Sequence, residues 1–127
     1  MNRPTRILLV DDNPVILDLL VLNFELEGFT VLQARDGVQA LALAREERPD
    51  VVVSDVMMPE MDGFKLTAAL RADPLTSAIP VMLVSAEAQA SDIREGLAAG
   101  AGDYVTKPFD PFELIDRVNR LLVASHP

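Results

Sequence analysis

Five residues could do chemistry by type alone, and each stands at the end of a short apolar run. Asp11 and Asp12 follow Ile7–Val10, and Asp55 follows Val51-Val52-Val53-Ser54. Ser85 closes Val81–Ser85, and Lys107 follows Asp103–Thr106. A short run rich in β-branched residues and closed by turn chemistry, here Met58-Pro59, reads as a strand buried on both faces. In an open parallel sheet, ligands bind just outside the carboxyl ends of such strands. The five side chains therefore converge on one edge although they lie far apart in the chain.

Three carboxylates packed together repel one another and raise their pKa values unless something neutralises them. A hard divalent cation does so, and Mg²⁺ takes one or two carboxylates together with waters and a phosphate oxygen. Lys107 adds a compact positive charge, and the Ser85 hydroxyl can hydrogen-bond an anion's oxygen. This is an inventory for phosphoryl transfer onto a carboxylate. Asp55 is cast as the nucleophile. Asp12 and Asp55 are expected to ligate the metal directly, with Asp11 holding its waters or ligating it too. The backbone carbonyl of Met57, in the loop after Asp55, is a further expected ligand. Mn²⁺ is admitted in place of Mg²⁺.

The elements that position these residues follow from the pattern. Expected strands are Ile7–Val10, Thr30–Ala34, Val51–Ser54, Val81–Ser85 and Asp103–Thr106. Expected helices are Pro14–Glu27, Gly37–Glu46, Gly63–Arg71, Ala88–Ala99 and Pro111–Val123. Strict alternation of strand and helix predicts a parallel sheet with right-handed crossovers and helices on both faces. Asn13-Pro14 supplies a cap followed by a proline whose missing N–H costs nothing there. Asp36 with Gln39, and Asp110 with Glu113, have capping-box spacing. Gly28 and Gly100 suit left-handed helix ends. Gly96, inside the fourth helix, is expected to weaken it by ~1 kcal/mol relative to alanine.

Composition narrows the class. The 127 residues make one domain, 1–127 with a core over about 6–123, and no output domain is expected in this chain. No apolar run approaches the ~20 residues that span a bilayer. Met1–Arg6 is polar and Ile7–Val10 is only a strand's length, which does not read as a secretory signal. The absence of cysteine excludes disulfides and thiolate metal sites and agrees with a cytoplasmic location. A formal charge of −9 argues against direct nucleic-acid binding and suits cations or basic partners.

Taken in order, Asp11-Asp12, Asp55 with Met58-Pro59 and Asp62-Gly63, Ser85-Ala86, and Tyr104 with Lys107-Pro108-Phe109 resemble the receiver domain of bacterial two-component response regulators. The likeness runs from about Arg6 to Leu122. Each motif alone is weak, but all of them in order at expected strand ends are specific. The resemblance implies an α/β flavodoxin-like (βα)5 three-layer sandwich with strand order 2-1-3-4-5, an order for which the chemotaxis receiver is a known example. It implies Mg²⁺ on the acidic pair and the phosphoacceptor aspartate, with Ser85 and Lys107 contacting the phosphoryl group. It implies phosphoryl transfer from a sensor histidine kinase or histidine phosphotransfer domain. Such a domain is no general enzyme: it catalyses its own phosphorylation and slow autodephosphorylation. The resemblance also places Tyr104 at an aromatic switch position. Movement of Ser85 toward the phosphate lets the ring turn in, and the face of the fourth helix, fifth strand and fifth helix shifts its population toward a partner or output domain. For a lone tyrosine, the ordinary reading is a half-buried strand aromatic.

The first helix has more apolar surface than one buried stripe requires, since between Val15 and Leu26 only Asp18, Asn23 and Glu25 are polar. Ile16 and Leu17 are expected to form a docking patch for the phosphodonor, against the alternative of plain greasy surface. Arg94, Arg117 and Arg120 with Glu95, Asp103, Asp116 and Glu113 partly resemble the charged dimer face of DNA-binding response regulators. Gly102 departs from that pattern, so a phosphorylation-dependent dimer is admitted but not required. Met57, Met58, Met61 and Met82 suit packing better than a soft-metal site.

Three rivals remain. A flavin carrier on this fold would need a Ser/Thr/Gly-rich phosphate cradle where Asp-Asp-Asn-Pro stands. A haloacid-dehalogenase-like phosphatase would need an acid at the position of Met57. A pseudo-receiver acting only by protein contact would be attractive if Asp55 or Lys107 were missing, and both are present.

Overall fold

The run Val51–Asp55 forms the central strand β3 and is buried at every residue. In the computed structural model, which describes residues 3–125, β3 lies within a five-stranded parallel sheet. The other strands are β1 (Arg6–Val10), β2 (Thr30–Ala34), β4 (Val81–Ser85) and β5 (Asp103–Thr106), in the order β2-β1-β3-β4-β5. The helices are α1 (Pro14–Leu26), α2 (Gly37–Glu47), α3 (Gly63–Ala72), α4 (Ala90–Ala98) and α5 (Pro111–Ser125). This is the three-layer (βα)5 architecture that the alternation predicts.

Side-chain alternation along the strands divides the core in two. Ile7, Leu9, Val51, Val53, Met82 and Val84 pack against Leu17, Leu20 and Phe24 of α1 and Leu114 and Val118 of α5. Leu8, Val10, Val52 and Leu83 point the other way, onto Ala40 and Ala44 of α2 and Leu66 and Leu70 of α3. Both faces of β3 and β4 are therefore sealed, which is why these strands read as continuous apolar runs rather than alternating ones.

Register brings the polar strand ends to one level. Val10 pairs with Ser54, Asp55 with Val84, and Ser85 with Thr106. The ladder continues past the strands: Asp11 N–H donates to Ala34 C=O, Val56 N–H to Val84 C=O, and Lys107 N–H to Ser85 C=O at 2.8 Å. These bonds fix the backbone on which the acids, the hydroxyl and the lysine stand.

Local signals explain most boundaries. The Asn13 carboxamide accepts from Val15 and Ile16 N–H with Pro14 in the first turn, and Asp62 accepts from Lys65 N–H at 2.8 Å. Gly28 and Gly100 follow the ends of α1 and α4 with φ of 93° and 114°. Other details depart from expectation. Asp36 accepts from Gln39 N–H, but the Gln39 side chain returns to Arg35 N–H instead of Asp36. Asp110 accepts from Phe112 N–H, two residues on, rather than pairing reciprocally with Glu113. α4 starts at Ala90 instead of Ala88 because Gln89 and Asp92 form a capping box of their own.

The docking patch expected on α1 needs correction. Leu17 is only 2% exposed and packs in the core with Leu20 and Phe24, while Ile16 is half-buried. Positions 17, 20 and 24 recur at helical period and take the sheet-facing stripe. Val15, Leu19, Leu22 and Leu26 are the large apolar residues of α1 left in solvent.

Candidate functional site

Asp11 and Asp55 are buried beneath the sheet edge and Asp12 is exposed above them. Each of the three offers a carboxylate oxygen, and these oxygens all lie within 4.8 Å of one another. Lys107 reaches the pair from β5, with Nζ 3.4 Å from Asp11 Oδ2 and 3.5 Å from Asp55 Oδ1. Asp11 also accepts from Asn13 N–H at 2.9 Å, which ties its carboxylate to the start of α1. Asp55 Oδ1 accepts a long bond, 3.4 Å, from Met57 N–H. The Met57 side chain points into solvent beside the site.

Burial pushes the Asp55 carboxyl above its ordinary range. The Lys107 charge opposes that rise, and the neighbouring Asp11 charge adds to it. Desolvation and like charge outweigh the lysine, so the ionised form of Asp55 is under-compensated by the protein alone. The donors are all carboxylate oxygens, two buried and one open to solvent, which is a set that suits a hard divalent ion retaining some water. Asp11, Asp12 and Asp55 thus fit the expected Mg²⁺.

Ser85 is fully buried at the end of β4, one residue beyond the level of Asp55. Its oxygen accepts from Glu87 N–H at 3.0 Å, and its hydroxyl also lies within hydrogen-bonding reach of the Tyr104 phenol. Tyr104 lies inward under α4, 6% exposed, and its hydroxyl donates to the Glu87 carbonyl at 2.7 Å. The β4–α4 loop thereby joins the hydroxyl at the site to the ring on β5. Burial raises the Tyr104 phenol above its ordinary range, opposed in part by the Ser85 hydroxyl.

Three features of the surrounding loop carried no clear signal in the sequence. A Cβ on Gly63 would fall 2.6 Å from Asp55 C=O and 2.8 Å from Val56 Cα, so the start of α3 lies against the backbone that bears the central aspartate. Gly37 makes a similar approach to Met61, where a Cβ would meet the carbonyl at 2.6 Å. Between them, Glu60 adopts φ of 67° while Met61 N–H donates to Pro59 C=O at 2.7 Å, closing a tight turn. Only the Asp62-Gly63 pair hinted at this, through its place in the quoted motif.

On the opposite flank, four of the seven charges that resemble a dimer face, Arg117, Asp103, Arg120 and Asp116, are paired within the protomer. Arg117 holds Asp103 through two bonds of 2.6 and 2.9 Å and also reaches Tyr104 C=O, and Arg120 holds Asp116. Among the described residues, no helix is long and apolar enough to cross a membrane.

This fold with an acidic cluster, a hydroxyl and a lysine at one strand edge defines a class of signalling domain, and similarity to known proteins gives the family. The profile of the response regulator receiver domain matches residues 7–119, and the chain belongs to that family. It is 44% identical to the protein PilH of Pseudomonas aeruginosa over 119 residues, covering 94% of this chain and 98% of PilH. It is 45% identical over 117 residues to the DNA-binding dual master transcriptional regulator RpaA of Synechocystis, covering 92% of this chain but only 48% of RpaA. The chain thus spans about half the length of that regulator and nearly all of PilH. Among solved structures, the receiver domain of the sensor histidine kinase PA1611 of Pseudomonas aeruginosa superposes with a TM-score of 0.88 at 32% identity, covering 95% of this chain and 99% of that one.

Proposed function

We propose that this receiver domain takes a phosphoryl group onto Asp55 from a phosphohistidine donor. The observation that carries the reading is the meeting of Asp11, Asp12 and Asp55 with Lys107 at one strand edge. An Asp55 carboxylate oxygen attacks phosphorus, the phosphorus–nitrogen bond of the donor breaks, and the imidazole leaves as the new acyl phosphate forms. Lys107 stands where it can meet charge on the transferred oxygens, and the Ser85 hydroxyl can turn from the Tyr104 phenol to donate to one of them. Asp11, Asp12 and Asp55, with the Met57 carbonyl, would hold the metal. Mg²⁺, when bound, supplies charge neutralisation for the carboxylates and the incoming phosphoryl oxygens. A magnesium ion is coordinated in the cleft of the PA1611 receiver domain, which supports the same ion here. Hydrolysis returns the carboxylate: water attacks phosphorus, the acyl-oxygen–phosphorus bond breaks, and inorganic phosphate leaves.

The output is read as a change on the face formed by α4, β5 and α5. The hydrogen-bonded line from Ser85 through Glu87 to Tyr104 supports that route. An output domain or separate partner would engage this face in the cytoplasm. Relatives such as RpaA are DNA-binding regulators, so this chain's own contact with nucleic acid is left to any output partner. For the donor, the exposed stripe Val15, Leu19, Leu22 and Leu26 replaces Ile16 and Leu17 as the docking face. These residues recur at alternating spacings of four and three, as on a helix that packs against another helix.

The chemical test is reduction of the acyl phosphate with borohydride after incubation with acetyl phosphate and Mg²⁺, followed by peptide mapping. Reduction confined to Asp55 is expected. Label on another residue would overturn the assignment.

A further inference from the structure

Gly96 is the buried residue of α4, and its backbone is ordinary helix, so no unusual conformation calls for glycine there. Glycine weakens a helix interior relative to alanine. Space supplies the reason for it. A Cβ at this position would lie 2.9 Å from Tyr104 Cδ2, 3.2 Å from Tyr104 Cε2 and 3.0 Å from Leu83 Cδ1. The ring edge occupies the notch that the missing side chain leaves, and from that seat its hydroxyl reaches the Glu87 carbonyl at 2.7 Å.

We propose that the missing side chain at Gly96 is what lets Tyr104 sit inward, and that a single methyl group at position 96 expels the ring. The seat has a consequence at the site, which rests on the reading of Asp55 as phosphoacceptor. With the ring inward, Glu87 C=O is held by the phenol while Glu87 N–H donates to Ser85 at 3.0 Å. The loop and the hydroxyl are thus set together.

The sequence supplies its own probe, because Tyr104 is the one tyrosine and there is no tryptophan. Tyrosine fluorescence with acrylamide quenching reports the ring's exposure in wild type and in Gly96→Ala, with no phosphodonor present. The expected result is a rise in the quenching constant toward that of free tyrosine, together with a lower melting temperature. Unchanged quenching overturns the proposal whatever the melting temperature does, and a higher melting temperature with unchanged quenching would mark Gly96 as a plain helix weakness. Should Gly96→Ala fail to fold, the double variant Gly96→Ala/Tyr104→Ala decides. Recovery of folding when the ring is removed supports the steric seat, and continued failure overturns it. Because the measurement is made on unmodified protein, a negative result here leaves the Asp55 reading untouched, and failure of phosphorylation leaves this one untouched.

Discussion

Replacing Asp55 with asparagine should stabilise the metal-free protein and destroy much of its response to Mg²⁺. The magnitudes follow from the cluster. At an effective dielectric of ~20, unit charges 3.5 Å apart interact by about 5 kcal/mol and those 4.8 Å apart by about 3 kcal/mol. At 4.8 Å or closer the repulsion from Asp11 is at least that large, the attraction to Lys107 is the larger of the two, and the burial cost of the carboxylate, several kcal/mol, turns the balance against the ionised form. Burial is also the largest cause of the raised Asp55 pKa. Asparagine keeps the shape and loses the charge, for a net gain of about 1 kcal/mol at neutral pH. For a domain of this size that is about 4 °C in melting temperature.

The sign with pH follows from the raised pKa. Between the unfolded and folded values the native state binds more protons than the unfolded state, so stability falls as pH rises through that window. The advantage of Asp55→Asn should be full above the folded pKa and vanish below the unfolded value, which is about 3.9. At a concentration of one hundred times its dissociation constant, Mg²⁺ should stabilise the wild type by about 2.7 kcal/mol, close to 10 °C. The variant, one ligand short, should gain much less. Differential scanning calorimetry across pH, with EDTA or Mg²⁺, reads every arm. A variant that is less stable without metal, or that gains as much from Mg²⁺ as the wild type does, would refute the reasoning.

Glu60 holds φ of 67° in the tight turn after Pro59, a conformation that favours glycine. Glu60→Gly should leave stability unchanged or raise it by up to about 1 kcal/mol in urea titration, because relief of strain offsets the added freedom of the unfolded chain. Leu17→Ala should cost about 2–5 kcal/mol in the same titration, as expected for a core leucine rather than a docking residue. Leu19→Glu should change stability by less than about 1 kcal/mol while slowing phosphotransfer from the cognate histidine donor, with acetyl phosphate as the control donor. Gly63→Ala should lower melting temperature and phosphorylation together, since its Cβ would strike the Asp55 carbonyl.

The architecture and the candidate site were largely legible in the sequence, because strand-length apolar runs end in the residues that meet there. Burial on both faces leaves β3 and β4 little choice but continuous apolar side chains, so Asp55 and Ser85 stand out at their ends. What stayed hidden depends on distances between segments. Helical period shows that α1 has surplus apolar surface, but the phase of the sheet-facing stripe is set by packing, and it took Leu17 inward. Arg48 ends α2 at φ of 46°, which nothing about an arginine announces. Arg71 donates to the carbonyls of Ser77, Ile79 and Gly100, stitching α3 to the loop before β4 and to the end of α4. Its long side chain had no readable partner in the sequence. Gly96 read as a local helix defect, and only the approach of Tyr104 turns it into a fitted seat.

The most direct measurement of the central claim is intact mass after incubation with acetyl phosphate, with and without Mg²⁺, beside Asp55→Asn. The account predicts one added phosphoryl group on the wild type, dependent on the metal and absent from the variant. An adduct that forms equally well in EDTA, or that persists in Asp55→Asn, would contradict it, as would a wild type that binds no Mg²⁺ and gains no mass.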